Sequence, residues 1–228
     1  MQTEVNNKLI SVIIPVRNGI NYLTEAVEGI RRQGMNVEII AVDDYSSDGT
    51  AELAEKLGCI CIRNSKNCGQ AASKNKGLGI AKGEYIMFHD HDDVMNVGGL
   101  RELYGALEKE EDLMLVMARL KDFVLPDLSD AEKAQVIIKE QPYHGLFTGA
   151  ILMRKELFDI VGELDGSIHT GELIDLIFKI NKLGLKTSRI DFVSCNRRIH
   201  GSNFGRTSKI TEFTNYSAIL RRKLAKAI

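Results

Sequence analysis

The chain has 228 residues, a formal net charge of -1, and 44% hydrophobic and 27% charged residues, which suits one large α/β domain or two small ones with a real core. The balanced charge argues against a dedicated nucleic-acid binder, and no apolar run approaches the roughly 18 residues that a membrane span needs. The start, "MQTEVNNK", lacks the basic-then-apolar layout of a secretory leader, so a cytoplasmic protein is expected.

The first ninety residues alternate between two periods. "LISVIIPV" (Leu9–Val16) is a continuous, β-branched run, as a buried parallel strand requires. Ile20, Leu23, Val27 and Ile30 fall on one helical face. "VEIIAVDD" (Val37–Asp44) is a second strand, and "DGTAELAEKLG" (Asp48–Gly58) a helix capped by Ser47 or Asp48 and closed by glycine. "CICIR" is a short strand in which Cys59 and Cys61 alternate. With Cys68 and Cys195 they form no C-x-x-C pair, so they read as packing and not as a zinc site. "GQAASKNKGLGIAKG" (Gly69–Gly83) is a small-residue helix, and "EYIMFHD" (Glu84–Asp90) a fourth strand. Strand and helix alternating at this spacing predict βαβ units, hence a mostly parallel central sheet flanked by helices.

The second half is less regular. Val97, Leu100, Leu103, Tyr104 and Leu107 make an amphipathic helix, and "LMLVMARL" (Leu113–Leu120) a strand. "SDAE" (Ser129–Glu132) fits a capping box. "GAILMR" (Gly149–Arg154) reads as a strand, "GELIDLIFKINKLG" (Gly171–Gly184) as a strongly amphipathic helix, and "KTSRIDFVS" as a late strand followed by "RRIHGSN". No Pro/Gly-rich linker separates the halves. The expectation is a single domain, 1–228, with a nucleotide- and metal-binding lobe (9–95), an acceptor lobe (96–205) and a basic C-terminal helix (206–228).

Ligands of such sheets bind beyond the carboxyl ends of the strands. Polar clusters stand at three of those ends: "PVRNG", "DDYSSDGT" and "HDHDD". Asp-x-Asp at a strand end suits a divalent cation shared with phosphate oxygens, or else a solvated acidic loop. His89 is expected to turn into the fold and His91 to lie in the loop. The carboxylates and hydroxyls of "VDDYSSDGT" suit a base or ribose as well as helix capping. Neither G-x-G-x-x-G nor G-x-x-x-x-G-K-[ST] is present, which removes the main support for a dinucleotide oxidoreductase or a P-loop enzyme.

Five segments in order, "SVIIPVRNG", "EIIAVDDYSSDGT", "NCGQAASKNKGLGIAKGEYIMFHDHDD", "TGAILMRKELFDIVGELD" and "RRIHGSN", resemble family 2 glycosyltransferases of the GT-A fold, from about Leu9 to Asn203. The resemblance implies a UDP- or GDP-sugar donor, a Mn2+ or Mg2+ cofactor and inversion at the anomeric carbon. The acceptor is a glycan, lipid, peptide or small molecule. It implies that Pro15 and Arg17 line the nucleotide pocket and that Asp44, with Asp43 beside it, meets the base. Lys74 and Asn75 fall where the family usually has Ala-Arg-Asn, so a lysine replaces the planar fork of arginine. Asp90 would lie near ribose and metal, Asp92 would ligate the metal, and His200 would reach the metal or diphosphate.

One position departs from the pattern. Where the family usually has Glu-Asp, with the aspartate as general base, this chain has Glu172 and Leu173. Glu172 is the expected base. Asp175, three residues on, is the alternative, unless it merely pairs with Lys179. The rival readings are a degenerate, non-catalytic nucleotide- or glycan-binding module and a sugar-1-phosphate nucleotidyltransferase, for which "PVRNG" is a poor Gly-rich loop. Between Thr207 and Ile228, Phe213, Tyr216, Leu220 and Leu224 recur at helical spacing among five basic residues. Such a helix can rest on an anionic membrane surface or pack on its own domain.

Overall fold

The computed structural model describes residues 8–126, 128–129, 133, 138–168 and 171–201. Strand β1 (Ile10–Val16) is buried along its whole length. It lies between β2 (Val37–Asp43) and β4 (Tyr85–Phe88), parallel to both, and β3 (Ile60–Arg63) adds a half-exposed parallel edge. The register pairs Val16 with Asp43, so the first two strands end level.

Alternation along β1 divides the core into two layers. Ile10, Val12, Ile14 and Val16 meet α1 (Leu23–Arg31), α2 (Thr50–Lys56) and α4 (Gly99–Leu107) on one face. Ile13 meets α3 (Gln70–Ile80), α5 (Leu157–Val161) and α6 (Glu172–Lys182) on the other. Helix α3 lies close to the sheet because its inner face is small. A Cβ on Gly77 would stand 2.4 Å from Ile13 Cγ2. Two positions expected on helical faces lie outside the helices. Ile20 is 42% exposed in the turn where Gly19 O accepts from the amides of Tyr22 and Leu23, and Val97 is 78% exposed ahead of α4.

The same sheet continues through the second half. Strand β8 (Ile151–Arg154) joins β4 to β6 (Leu113–Val124), antiparallel to both. Strand β9 (Lys186–Ile199) runs parallel to β6, with β5 (Val94–Met95) antiparallel at its far edge and β7 (Tyr143–His144) on β6. The order is β3-β2-β1-β4-β8-β6-β9-β5. Both β6 and β9 outrun the lengths expected of them, because they sustain each other to the pair Val124–Ile199. "RRI" is therefore strand, and it delivers His200 to the carboxyl end of β4. The helix expected from Ser129 falls largely outside the described residues, although Lys133 N donates to Ser129 O at 2.9 Å. The tail from 206 onward lies wholly outside them.

Candidate active site

The loops after β1 and β2 are stitched to each other. Asn18 N donates to Ser46 Oγ at 2.9 Å, Ser47 N to Asn18 Oδ1 at 3.0 Å, and Gly19 N to Thr50 Oγ1 at 2.9 Å. Asp48 Oδ1 accepts from Thr50 N at 3.1 Å and Oδ2 from Ile20 N at 3.2 Å. The hydroxyls of Ser46 and Thr50 thus bind loop to loop. Pro15 is buried at this end, and Arg17 is exposed.

The two neighbouring aspartates have different tasks. Asp44 accepts from Asn64 Nδ2 (2.8 Å), Cys68 N (2.7 Å) and Gly69 N (2.8 Å), and so shapes the turn into α3. Asp43 Oδ2 meets Ser46 N and Arg63 Nε, each at 3.4 Å, while its buried Oδ1 has no hydrogen-bond donor. Of the pair, Asp43 is the one with an acceptor to spare.

Beyond β4 the acidic run is buried at both ends, His89 and Asp93, and half-buried between them. His89 turns inward, as its place in the strand pattern predicts, and is fully buried with neither ring nitrogen hydrogen-bonded. Burial pushes its imidazole below the ordinary value, toward the neutral form. Gly149 covers it. A Cβ there would stand 2.6 Å from His89 Nδ1 and 2.9 Å from Cys195 Sγ, and φ is +76°. Asp90 is half-buried at the rim. Asp92 Oδ2 lies 2.9 Å from His200 Nε2. Burial works to raise the Asp92 carboxyl, but the hydrogen bond with His200 and the charges of His91 and His200 hold it below the usual carboxylate range. Asp93 is buried and accepts from Arg198 N at 2.9 Å. Burial, then the charges of Asp92 and Asp90, push its carboxyl well above that range.

A second group faces the end of β4 from α3 and α6. Lys74 is 1% exposed; its ammonium bonds Glu172 Oε1 and lies 5.7 Å from the Phe88 ring centroid. The sequence pattern gives these two residues different tasks, and the fold joins them as a buried ion pair. Asn75 is committed to the neighbouring loop, where its amide donates to Leu164 O at 2.8 Å and accepts from Leu164 N at 3.0 Å. Asp175 stands 3.4 Å from Lys179 Nζ, and Leu173 is 6% exposed in the core.

Sequence reasoning does not single out Arg198. Its guanidinium donates to Asp92 O at 2.7 Å and pairs with Glu25, near the rings of Tyr22 and Phe123. The two adjacent arginines of "RRIH" are plain in the sequence, but strand alternation pairs Arg197 with Asp122 and gives Arg198 the hydrogen bond to Asp92. Among the described residues no group of three or more His, Cys, Asp and Glu side chains forms a cation cage. Asp92 and His200 offer one oxygen and one nitrogen at a common point.

Residues 11–161, which carry β1 to β4 and the acidic loop but not Glu172, Arg198 or His200, match the sequence profile described as Glycosyl transferase family 2. The chain belongs to that family. Named glycosyltransferases are similar over most of it. Glycosyltransferase GlyG of Streptococcus pneumoniae serotype 4 is 29% identical over 230 residues, 91% of this chain and 75% of GlyG. Cholesterol galactosyltransferase of Borreliella burgdorferi is 29% identical over 219 residues, 85% of this chain and 60% of that protein. In fold the chain is similar to mannosyltransferase PcManGT from Pyrobaculum calidifontis, solved with GDP-Man and Mn2+, at a TM-score of 0.72 and 16% identity. That match covers 97% of this chain and 65% of PcManGT. S. aureus TarS solved with UDP-GlcNAc gives 0.67 and 18%, over 87% and 60%. The family 2 chain therefore has the GT-A fold and spans less than two thirds of each of these solved chains.

Proposed function

We propose that this family 2 member transfers a sugar from a nucleoside diphosphate sugar to an acceptor hydroxyl with inversion. The approach of Asp92 Oδ2 to within 2.9 Å of His200 Nε2, across 108 residues of sequence, carries this reading. A carboxylate oxygen and an imidazole nitrogen, with Asp90 at the rim, fit a Mn2+ or Mg2+ ion whose remaining positions fall to diphosphate oxygens and water. When bound, such an ion would neutralise charge developing on the leaving diphosphate. The relatives solved with GDP-Man and UDP-GlcNAc support a GDP- or UDP-sugar as donor.

In this reading the base lies against the Asp43 end of β2, beside Pro15 and Arg17. Asp44, Lys74 and Asn75 act from behind by holding the α3 side of the pocket. The acceptor oxygen attacks the anomeric carbon opposite the diphosphate, the carbon–phosphate-oxygen bond breaks, and the hydroxyl proton passes to Glu172 Oε2. Glu172 Oε1 stays on Lys74. Asp175, tied to Lys179, is the weaker candidate. The acceptor is a glycan, lipid, peptide or small-molecule hydroxyl. A peripheral membrane contact through residues 206–228 belongs to the same proposal; no helix among the described residues is long and apolar enough to cross a membrane.

Turnover of UDP- and GDP-sugars, with and without manganese, tests the reading. Manganese-dependent release of UDP or GDP is expected, and Glu172→Gln should cut it by about a hundredfold or more with donor binding preserved. One observation favours the binding-module alternative: both candidate bases are already paired with lysines. Tight diphosphate binding with no turnover on any acceptor would support that alternative.

A further inference from the structure

We infer that Arg198 is the positioning residue of the acidic loop and sets the affinity of the cation site without touching the cation. The inference rests on the reading of Asp92 and His200 as ligands.

Arg198 reaches the loop through two hydrogen bonds and is anchored to α1 by an ion pair. Its Nε donates to Asp92 O at 2.7 Å, and its own backbone amide donates to Asp93 Oδ1 at 2.9 Å. Its Nη2 pairs with Glu25 on α1. The guanidinium carbon lies 5.0 Å from the Tyr22 ring centroid and 4.8 Å from that of Phe123, so two rings hold the cation. Tyr22 in turn packs on the His200 imidazole at 4.7 Å between centroids. One side chain therefore fixes the main chain of one ligand and, through a shared ring, the orientation of the other. Arg198 is 6% exposed, so it does this from behind the site.

The geometry needs arginine. A lysine ammonium could follow Glu25 or Asp92 O, but it has no plane to stack on the rings of Tyr22 and Phe123 and no fork to serve both acceptors. Helix α1, the acidic loop and β9 all meet at this residue. Groups that orient metal ligands from behind typically change metal affinity by about 10–100-fold when lost.

The test measures Mn2+ binding by electron paramagnetic resonance, with UDP and with GDP, alongside thermal unfolding. Arg198→Lys should weaken Mn2+ binding by about tenfold or more. Glu25→Gln, at an exposed carboxylate whose loss threatens folding little, should weaken it severalfold and serves if Arg198 variants fail to fold. Asp92→Asn is the control for the ligands themselves. If Asp92→Asn leaves Mn2+ affinity unchanged, or wild type binds no Mn2+ with either diphosphate, the ligand reading fails and this inference with it. If Asp92→Asn abolishes binding while Arg198→Lys and Glu25→Gln bind as wild type, only the inference fails. A lowered unfolding temperature with wild-type Mn2+ affinity would mark Arg198 as merely structural and would also overturn it.

Discussion

Asp92 and Asp93 are adjacent in sequence, yet their environments drive them apart. One is held by His200, the other buried against a backbone amide. Replacing Asp92 by Asn keeps the shape and removes the charge. Manganese-dependent binding of a nucleoside diphosphate should then fall at least about tenfold by calorimetry, with the fold intact. Equal affinity in both proteins would remove Asp92 from the site. The Lys74–Glu172 pair allows a sharper stability test. Lys74→Met leaves a buried carboxylate without its cation, which costs about 3–5 kcal/mol. The double replacement Lys74→Met with Glu172→Leu should regain most of that loss in denaturant unfolding. A mild effect of the single change would mean that solvent reaches Glu172.

At the level of elements, α3 joins the site to the core. A Cβ added to its outer glycine, Gly79, would have nothing within 4 Å, whereas one on Gly77 would stand 2.4 Å from Ile13 Cγ2. Gly79→Ala should therefore stabilise the protein by about 0.5–1 kcal/mol through helix propensity. Gly77→Ala gains the same propensity and meets an overpacking cost of about 1–3 kcal/mol, so the net change is destabilising. Opposite signs in chemical denaturation would confirm the packing, and a shared sign would refute it. The same helix holds the loop at Leu164 through Asn75, so Asn75→Ala should expose two backbone groups and speed amide exchange at Leu164. Unchanged exchange would mean that the loop holds itself.

For the whole molecule, one sheet carries both the β1–β4 half and the β6–β9 half, with β8 between them. Ligand bound at the ends of these strands touches both halves and should stabilise the chain as a unit. At about 100 times Kd, a nucleoside diphosphate with manganese adds about 2.7 kcal/mol. A single unfolding transition should move upward, and chelation should return it. Two transitions, with one alone responding, would show that the halves unfold independently.

Periodicity and strand-end chemistry are enough to find the βαβ half, the acidic loop and the helix from Glu172. These signals are local, arising from side-chain alternation within seven-residue strands and from helices of nine or eleven residues. The inward turn of His89 is legible for the same reason. Partners are not legible. Nothing within a few residues of Lys74 announces Glu172, 98 positions away, and nothing near Asp44 shows that three donors from the Asn64–Gly69 turn will engage it. Which of two arginines faces Asp92 depends on the register of β9 against β6, which shifts at irregularities near Arg119 and is therefore a property of the assembled sheet. Family membership, the parallel half of the sheet and the residue types at its carboxyl ends are all written in the order of amino acids. Which of those residues meet is written only in three dimensions, because hydrogen bonds and buried charges are satisfied by neighbours in space.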